Sequence, residues 1–132
     1  MIDNDILVMY VAASSFPDGV RAAHERLHSL ITVTPDRKYY GLSRPEDGTI
    51  AYKAAINVTH PGEEEELGLD TLVIKKGKYL STTVHGYMQN IPAIGQAFTQ
   101  LIAQPGIDPQ GYCVEWYLSN EDVQCMVRLA DQ

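Results

Sequence analysis

The chain has 132 residues, 45% of them hydrophobic, which is enough apolar material for one domain with a buried core. Its net charge of -7, from 10 Lys and Arg against 17 Asp and Glu, argues against direct nucleic-acid binding, because phosphate contacts need clustered cations. No apolar run approaches the roughly 20 residues of a membrane helix. Acidic residues open the chain where a signal peptide carries basic ones, so a cytoplasmic protein is expected.

Ile6 to Ala13 is a nearly continuous apolar run and predicts a buried strand. Ser14 to Asp18 supplies cap and first-turn residues. Val20, Ala23, Leu27, Leu30 and Ile31 then recur at helical spacing, and the helix breaks over Thr32 to Asp36. Lys38 to Arg44 and Thr49 to Val58 read as two strands around Pro45-Glu46-Asp47-Gly48, an Asp-Gly hairpin signal. Residues 59–70 form an acidic stretch, read as a solvated linker, because like charges repel one another.

The second half repeats the order. Thr71 to Ile74 is a short apolar segment, and Lys75-Lys76-Gly77 turns into a strand that runs to Gly86. Asn90 is placed to cap a helix with Pro92 in its first turn and a stripe of Ile91, Ile94, Phe98, Leu101 and Ile102. Pro105-Gly106 ends it, and strands follow from Cys113 and Val123. The expectation is one α+β domain over residues 1–132, built from duplicated β-α-β-β units at 5–58 and 71–131. They form an antiparallel sheet with two helices on one face and a ligand cleft on the other.

Chemistry concentrates at Glu115, a carboxylate inside an apolar and aromatic strand, where an unpaired charge is costly. By alternation Val114, Trp116 and Leu118 share one face while Cys113, Glu115 and Tyr117 share the other. In the last strand Val123, Cys125, Val127 and Leu129 oppose Gln124, Met126 and Arg128. The apolar faces are expected under the helices, and the mixed face, with Glu115, Tyr117 and Met126, is expected to line a pocket. Eight tyrosines against two Phe and one Trp suggest an aromatic lining with polar tips. On this reading Cys113 and Cys125 fall on opposite faces as free thiols, which fits a reducing compartment. His24 and His28 stand one helical turn apart, but no third ligand is recognisable, so neither metal nor cofactor is expected. No phosphate loop, paired-cysteine motif or nucleophile elbow appears.

Five short motifs resemble the GyrI-like small-molecule-binding family, also called effector-binding domains of bacterial transcription activators. They are Gly77-Lys78-Tyr79, Val84-His85-Gly86, Glu115-Trp116-Tyr117, Tyr40-Gly41-Leu42 and Tyr52-Lys53-Ala54-Ala55. The resemblance covers nearly the whole chain and implies a duplicated fold with a ligand cleft near its pseudo-twofold. It further implies that Glu115 supplies the counter-charge for cationic, lipophilic ligands, and that the chain corresponds to stand-alone forms of the family. The final strand departs from the family pattern, reading Arg128-Leu129-Ala130-Asp131 where relatives often carry an apolar-Pro-apolar segment.

The expected function is a binding module for a small cationic, aromatic or lipophilic ligand, in transcription regulation or drug and toxin sensing. Glu115 pairs the charge, Tyr117, Tyr79, Tyr52 and Tyr40 offer ring faces, and Met126 an adaptable wall. Two alternatives stand beside it. One is a hydrolase of strained electrophiles using Glu115, as in some proteins of this family. The other is a gyrase-inhibitor-like protein that acts on a partner through its acidic stretch. A protein partner and a homodimer are both left open.

Overall fold

The computed structural model describes residues 2, 4–31, 34–46, 48–109 and 111–130. The elements in chain order are β1 (Ile6–Ala12), α1 (Val20–Leu30), β2 (Tyr39–Glu46), β3 (Thr49–Asn57), α2 (Glu63–Leu67), β4 (Asp70–Ile74) and β5 (Tyr79–His85). A 3-10 turn at Tyr87–Gln89 then leads into α3 (Pro92–Ile102), β6 (Cys113–Tyr117) and β7 (Asp122–Arg128). All seven strands form one sheet, in the order β4-β1-β3-β2-β6-β7-β5. Every pairing between strands is antiparallel. The α+β expectation and the two β-α-β-β units are present, and β4 adds beyond β1 at one edge. Among the described residues no helix is long and apolar enough to cross a membrane.

The units meet where β2 pairs with β6, and registers read across the sheet show which residues share a face. One row runs Met9, Ile56, Tyr39, Tyr117, Val123 and Val84. The adjacent row on that face runs Val11, Ala54, Gly41, Glu115, Cys125 and Thr82. Helix α1 buries Ala23 and Leu27 against Met9, Ala54 and Ile56. Helix α3 buries Ala97 against Val123 and Cys125. Both helices therefore cover the same face, as an apolar stripe on each requires.

This corrects the reading of the last hairpin. The apolar set of β7 does lie under α3, but Glu115 pairs with Cys125, so Glu115, Tyr117 and Cys113 also face the helices. Val114 and Trp116 face the other way, with Met126 opposite Val114. Cys113 and Cys125 consequently share a face, and both are free. The physical reason is that central strands of this sheet are buried on both sides. Alternation between polar and apolar residues then no longer marks the core face.

The helix-free face has its own core of Val8, Tyr40, Leu42, Ala55, Ile74, Val114 and Met126. Ile74 belongs to edge strand β4, yet it packs with Leu42 and Val114 from the middle of the sheet. The edge strands β4 and β5 are consecutive in sequence, joined by residues 75–78, so Ile74 and Tyr79 lie at most about 18 Å apart. The sheet must curl to let its edges approach, and that curl encloses the second core.

The acidic stretch is only partly a solvated linker. Helix α2 begins in it, and Glu63 is buried at 4% exposure. Arg37 grips the Glu63 carboxylate with both terminal nitrogens, and Thr59 donates its backbone N–H at 3.0 Å. The residue that caps α3 is Ile91 rather than Asn90, so no side chain accepts a cap bond there, and Gly19, which has no side chain to accept one, precedes α1. Thr32, Val33, Asp47 and Asp131, which belong to the expected helix break, hairpin turn and last segment, lie outside the described residues.

Candidate functional site

The centre of the helix-covered face is built around a missing side chain. Gly41 sits on β2 directly opposite Glu115 on β6 and Ala54 on β3. A Cβ on residue 41 would lie 2.1 Å from the Tyr52 hydroxyl and 2.6 Å from Glu115 Oε1. The space above Gly41 is where the two side chains meet. Tyr52 reaches it from β3 and Tyr117 from β6, and both phenols donate to Glu115 Oε1, Tyr52 at 3.0 Å.

Glu115 is 8% exposed. Burial pushes its carboxyl above the ordinary carboxylate value, and the bonds from Tyr117 and Tyr52 pull partly against that. Burial first, and the neighbouring Glu115 carboxylate second, drive the Tyr52, Tyr117 and Tyr87 hydroxyls up, so all three remain protonated donors. His24 on α1 places Nε2 2.8 Å from the Tyr52 hydroxyl. The phenol proton goes to Glu115, so Nε2–H donates to the phenol oxygen. Burial, followed by the neighbouring His28, lowers the His24 value to about 4, which keeps its ring neutral. Glu115 is thus served by neutral donors, and among the described residues it has no ion-pair partner.

Rings surround this carboxylate. Phe16, from the segment before α1, stacks on Tyr52 with centroids 6.0 Å apart and is itself 46% exposed. His24 meets Tyr117 edge-on at 5.6 Å, and Tyr87 lies 5.5 Å from Tyr117. Met88 and Ile91, exposed apolar side chains, follow Tyr87 on the α3 side. The grouping therefore lies between α1 and α3 at the pseudo-twofold. It offers one carboxylate and several ring faces, a combination suited to a cation by charge and cation–π contact. Its raised carboxyl value equally suits proton donation.

Of the six residues expected to line one cleft, Glu115, Tyr117 and Tyr52 are together. The other three are on the helix-free face. Tyr40 is buried there 6.4 Å from Trp116, Met126 belongs to the same core, and Tyr79 donates to the Lys75 carbonyl at 2.6 Å. They cannot touch a ligand at Glu115, because a one-residue change of parity crosses the sheet. His24, Phe16 and Gly41 join the site without having been singled out for it, and Tyr87, one of the tyrosines expected as a group to line a pocket, joins them. His24 had a signal, since it sits at the edge of the α1 stripe. Gly41 had another, as a glycine inside a strand marks close approach by something else. His28 stacks on Tyr39 at 4.9 Å, and among the described residues no group of three or more His, Cys, Asp or Glu could hold a metal.

No protein-family model matches this chain, and no curated protein matches it either. Solved structures do match. One is the crystal structure of an integron cassette protein from the mobile metagenome of Vibrio cholerae, with a TM-score of 0.75 at 17% identity. The match covers 98% of this chain and 93% of that one. At that identity the likeness shows the fold: the complete α+β architecture, sheet and helices together, recurs in another protein.

Proposed function

We propose that the chain is a binding module for a small cationic ligand with aromatic or lipophilic groups, anchored on Glu115. One observation carries this reading. A buried carboxylate, held by two phenols, lacks an ion-pair partner among the described residues. Taking a charge from water costs several kcal/mol unless an opposite charge offsets it, and a bound cation is such a charge. The rings of Tyr117, Tyr87, Phe16 and His24 supply the apolar and cation–π part of the contact. A role in drug or toxin sensing, or in transcription regulation, is the setting that fits such a module and the GyrI-like resemblance. The hydrolase alternative needs a second acid or base beside Glu115; among the described residues no second carboxylate is bonded into the cluster, and its imidazole, His24, bonds the Tyr52 hydroxyl rather than Glu115.

Thermal unfolding of wild type and Glu115→Gln tests the proposal, with benzyltrimethylammonium as ligand and its uncharged carbon isostere as control. Binding to the folded state adds about 2.7 kcal/mol at a hundredfold excess over Kd. The cation is expected to raise the wild-type midpoint, and the isostere and the Gln variant to show no such rise. Equal shifts in wild type and Glu115→Gln refute Glu115 as anchor.

The sign of the substitution alone is also set. A carboxyl raised in the folded state contributes stability below its unfolded value and loses it as pH rises through the folded one. Gln, which keeps an oxygen to accept both phenols, is therefore expected to be at least as stable as Glu at pH 8. Cation binding by wild type should weaken as pH falls through the raised value.

A further inference from the structure

On the helix-free face, back to back with Glu115, the curl of the sheet encloses a cavity of about 260 Å³. Its floor is Leu42, Ile74 and Val114, all buried core residues. Val114 precedes Glu115 on β6, so one strand lines both sites from opposite faces. The rim has the opposite electrical character to the rest of the chain. Among the described lining residues the cations are Arg44, Lys75 and Arg128, against one acid, Asp108, which pairs with Arg128 at 3.1 Å. Lys53 stands just beyond, with Nζ 3.4 Å from the Tyr112 hydroxyl. Glu46 partly offsets Arg44 and Lys53, at 3.1 and 3.8 Å, and is itself a partly exposed, screened group. Among the described residues four cations and two acids meet here, on a chain of net charge -7.

We propose that this cavity binds a small organic carboxylate with an apolar or aromatic body. The apolar floor takes the body, and the basic rim takes the carboxylate. Arg44 is stacked over Tyr112 at 4.4 Å, which fixes the plane of its guanidinium and suits planar recognition of a carboxylate. Tyr79 ties the Lys75 backbone down through its 2.6 Å bond, holding the rim over the floor. A low-dielectric concavity whose described rim charges sum to a positive value favours the opposite charge, here an anion. Size limits the class further. A cavity of about 150 Å³ takes a benzene molecule, and drug-sized pockets begin at about 300 Å³. The occupant is therefore one ring, or a short chain, plus its acid group. Inorganic phosphate would leave the floor unfilled, and an amine would meet the rim charge with the wrong sign.

Titration calorimetry of the full chain with 4-phenylbutyrate tests this, with 4-phenylbutylamine and inorganic phosphate as controls. The carboxylate is expected to bind saturably, and each of Lys75→Gln and Arg44→Gln to weaken it about fivefold, or about 1 kcal/mol. Lys75 is exposed, so its substitution leaves the fold intact and keeps the test decisive. Glu115→Gln is expected to leave carboxylate affinity unchanged, which separates this site from the one between the helices. Absence of saturable binding, equal affinity for the amine or for phosphate, or unchanged affinity in both rim variants overturns the proposal.

Discussion

Adding one methyl group at Gly41 tests whether the site is organised around a missing side chain. In Gly41→Ala the new Cβ would stand 2.1 Å from the Tyr52 hydroxyl, 2.8 Å from its ring carbon and 2.6 Å from Glu115 Oε1. Non-bonded heavy atoms settle at about 3.5 Å, so the phenol must retreat by more than about 1 Å. That displacement breaks the 3.0 Å bond to Glu115 and strains the 2.8 Å contact with His24. Overpacking a core costs about 1–3 kcal/mol, and a lost hydrogen bond to a charged acceptor about 1.5–3 kcal/mol. A total on the order of 3–5 kcal/mol follows, at the severe end for one substitution. Urea unfolding followed through Trp116, the single tryptophan, measures it. Tyr52→Phe removes the oxygen nearest the new Cβ, so a double-mutant cycle should show Gly41→Ala costing on the order of 1–2 kcal/mol less in that background. A Gly41→Ala variant within about 0.5 kcal/mol of wild type, well below the overpacking cost, refutes the close approach. So does a cost that Tyr52→Phe leaves unchanged.

Two further outcomes follow from the ionisation of buried groups. The Arg37 guanidinium holds the Glu63 carboxyl at about 2 against an ordinary 4.5, a difference that converts to roughly 3 kcal/mol. Because the folded value is the lower one, that stability is present above 4.5 and drains as pH falls towards 2. Wild type should lose it over this window while Glu63→Gln, already weakened at pH 7, does not; parallel pH profiles for the two refute the pairing. Burial, helped by Glu115, pushes the Cys125 thiol up to about 12, and burial also raises Cys113. A thiol reagent at pH 8 should therefore label neither rapidly until urea unfolds the chain, and rapid native labelling of Cys125 contradicts its place under α3.

Much of the architecture was legible in the residues because it depends on local periodicity. The stripe of Ala23 and Leu27, the alternation in both halves and Pro92 at the start of α3 each specify an element without reference to the rest. Repetition of that order then implied a duplicated sheet with both helices on one side. Glu115 was legible for a related reason, as a charge set among apolar and aromatic neighbours in a strand. Its partners were harder to read. Tyr52 is 63 positions away, and His24 reaches the site only through Tyr52. Phe16 and Tyr87 come from segments between elements, where no period indicates direction. Glu63 looked solvated in an acidic run, and its burial depends on Arg37, a residue 26 positions earlier.

The amino-acid order by itself determined the elements of the two repeated units, though not α2, and the presence of one costly carboxylate, since each is a property of neighbours along the chain. Only the tertiary structure decided which face that carboxylate occupies. Sheet register pairs Glu115 with Cys125 and Gly41, turning it with Tyr52 and Tyr117 towards the helices. The same register sends Tyr40 and Met126 to the opposite core, with Tyr79 beside the cavity there. Side chains alternate with a period of two, so one step of parity carries a residue through the sheet. Where both faces are buried, hydrophobicity along the strand holds no information about which is which.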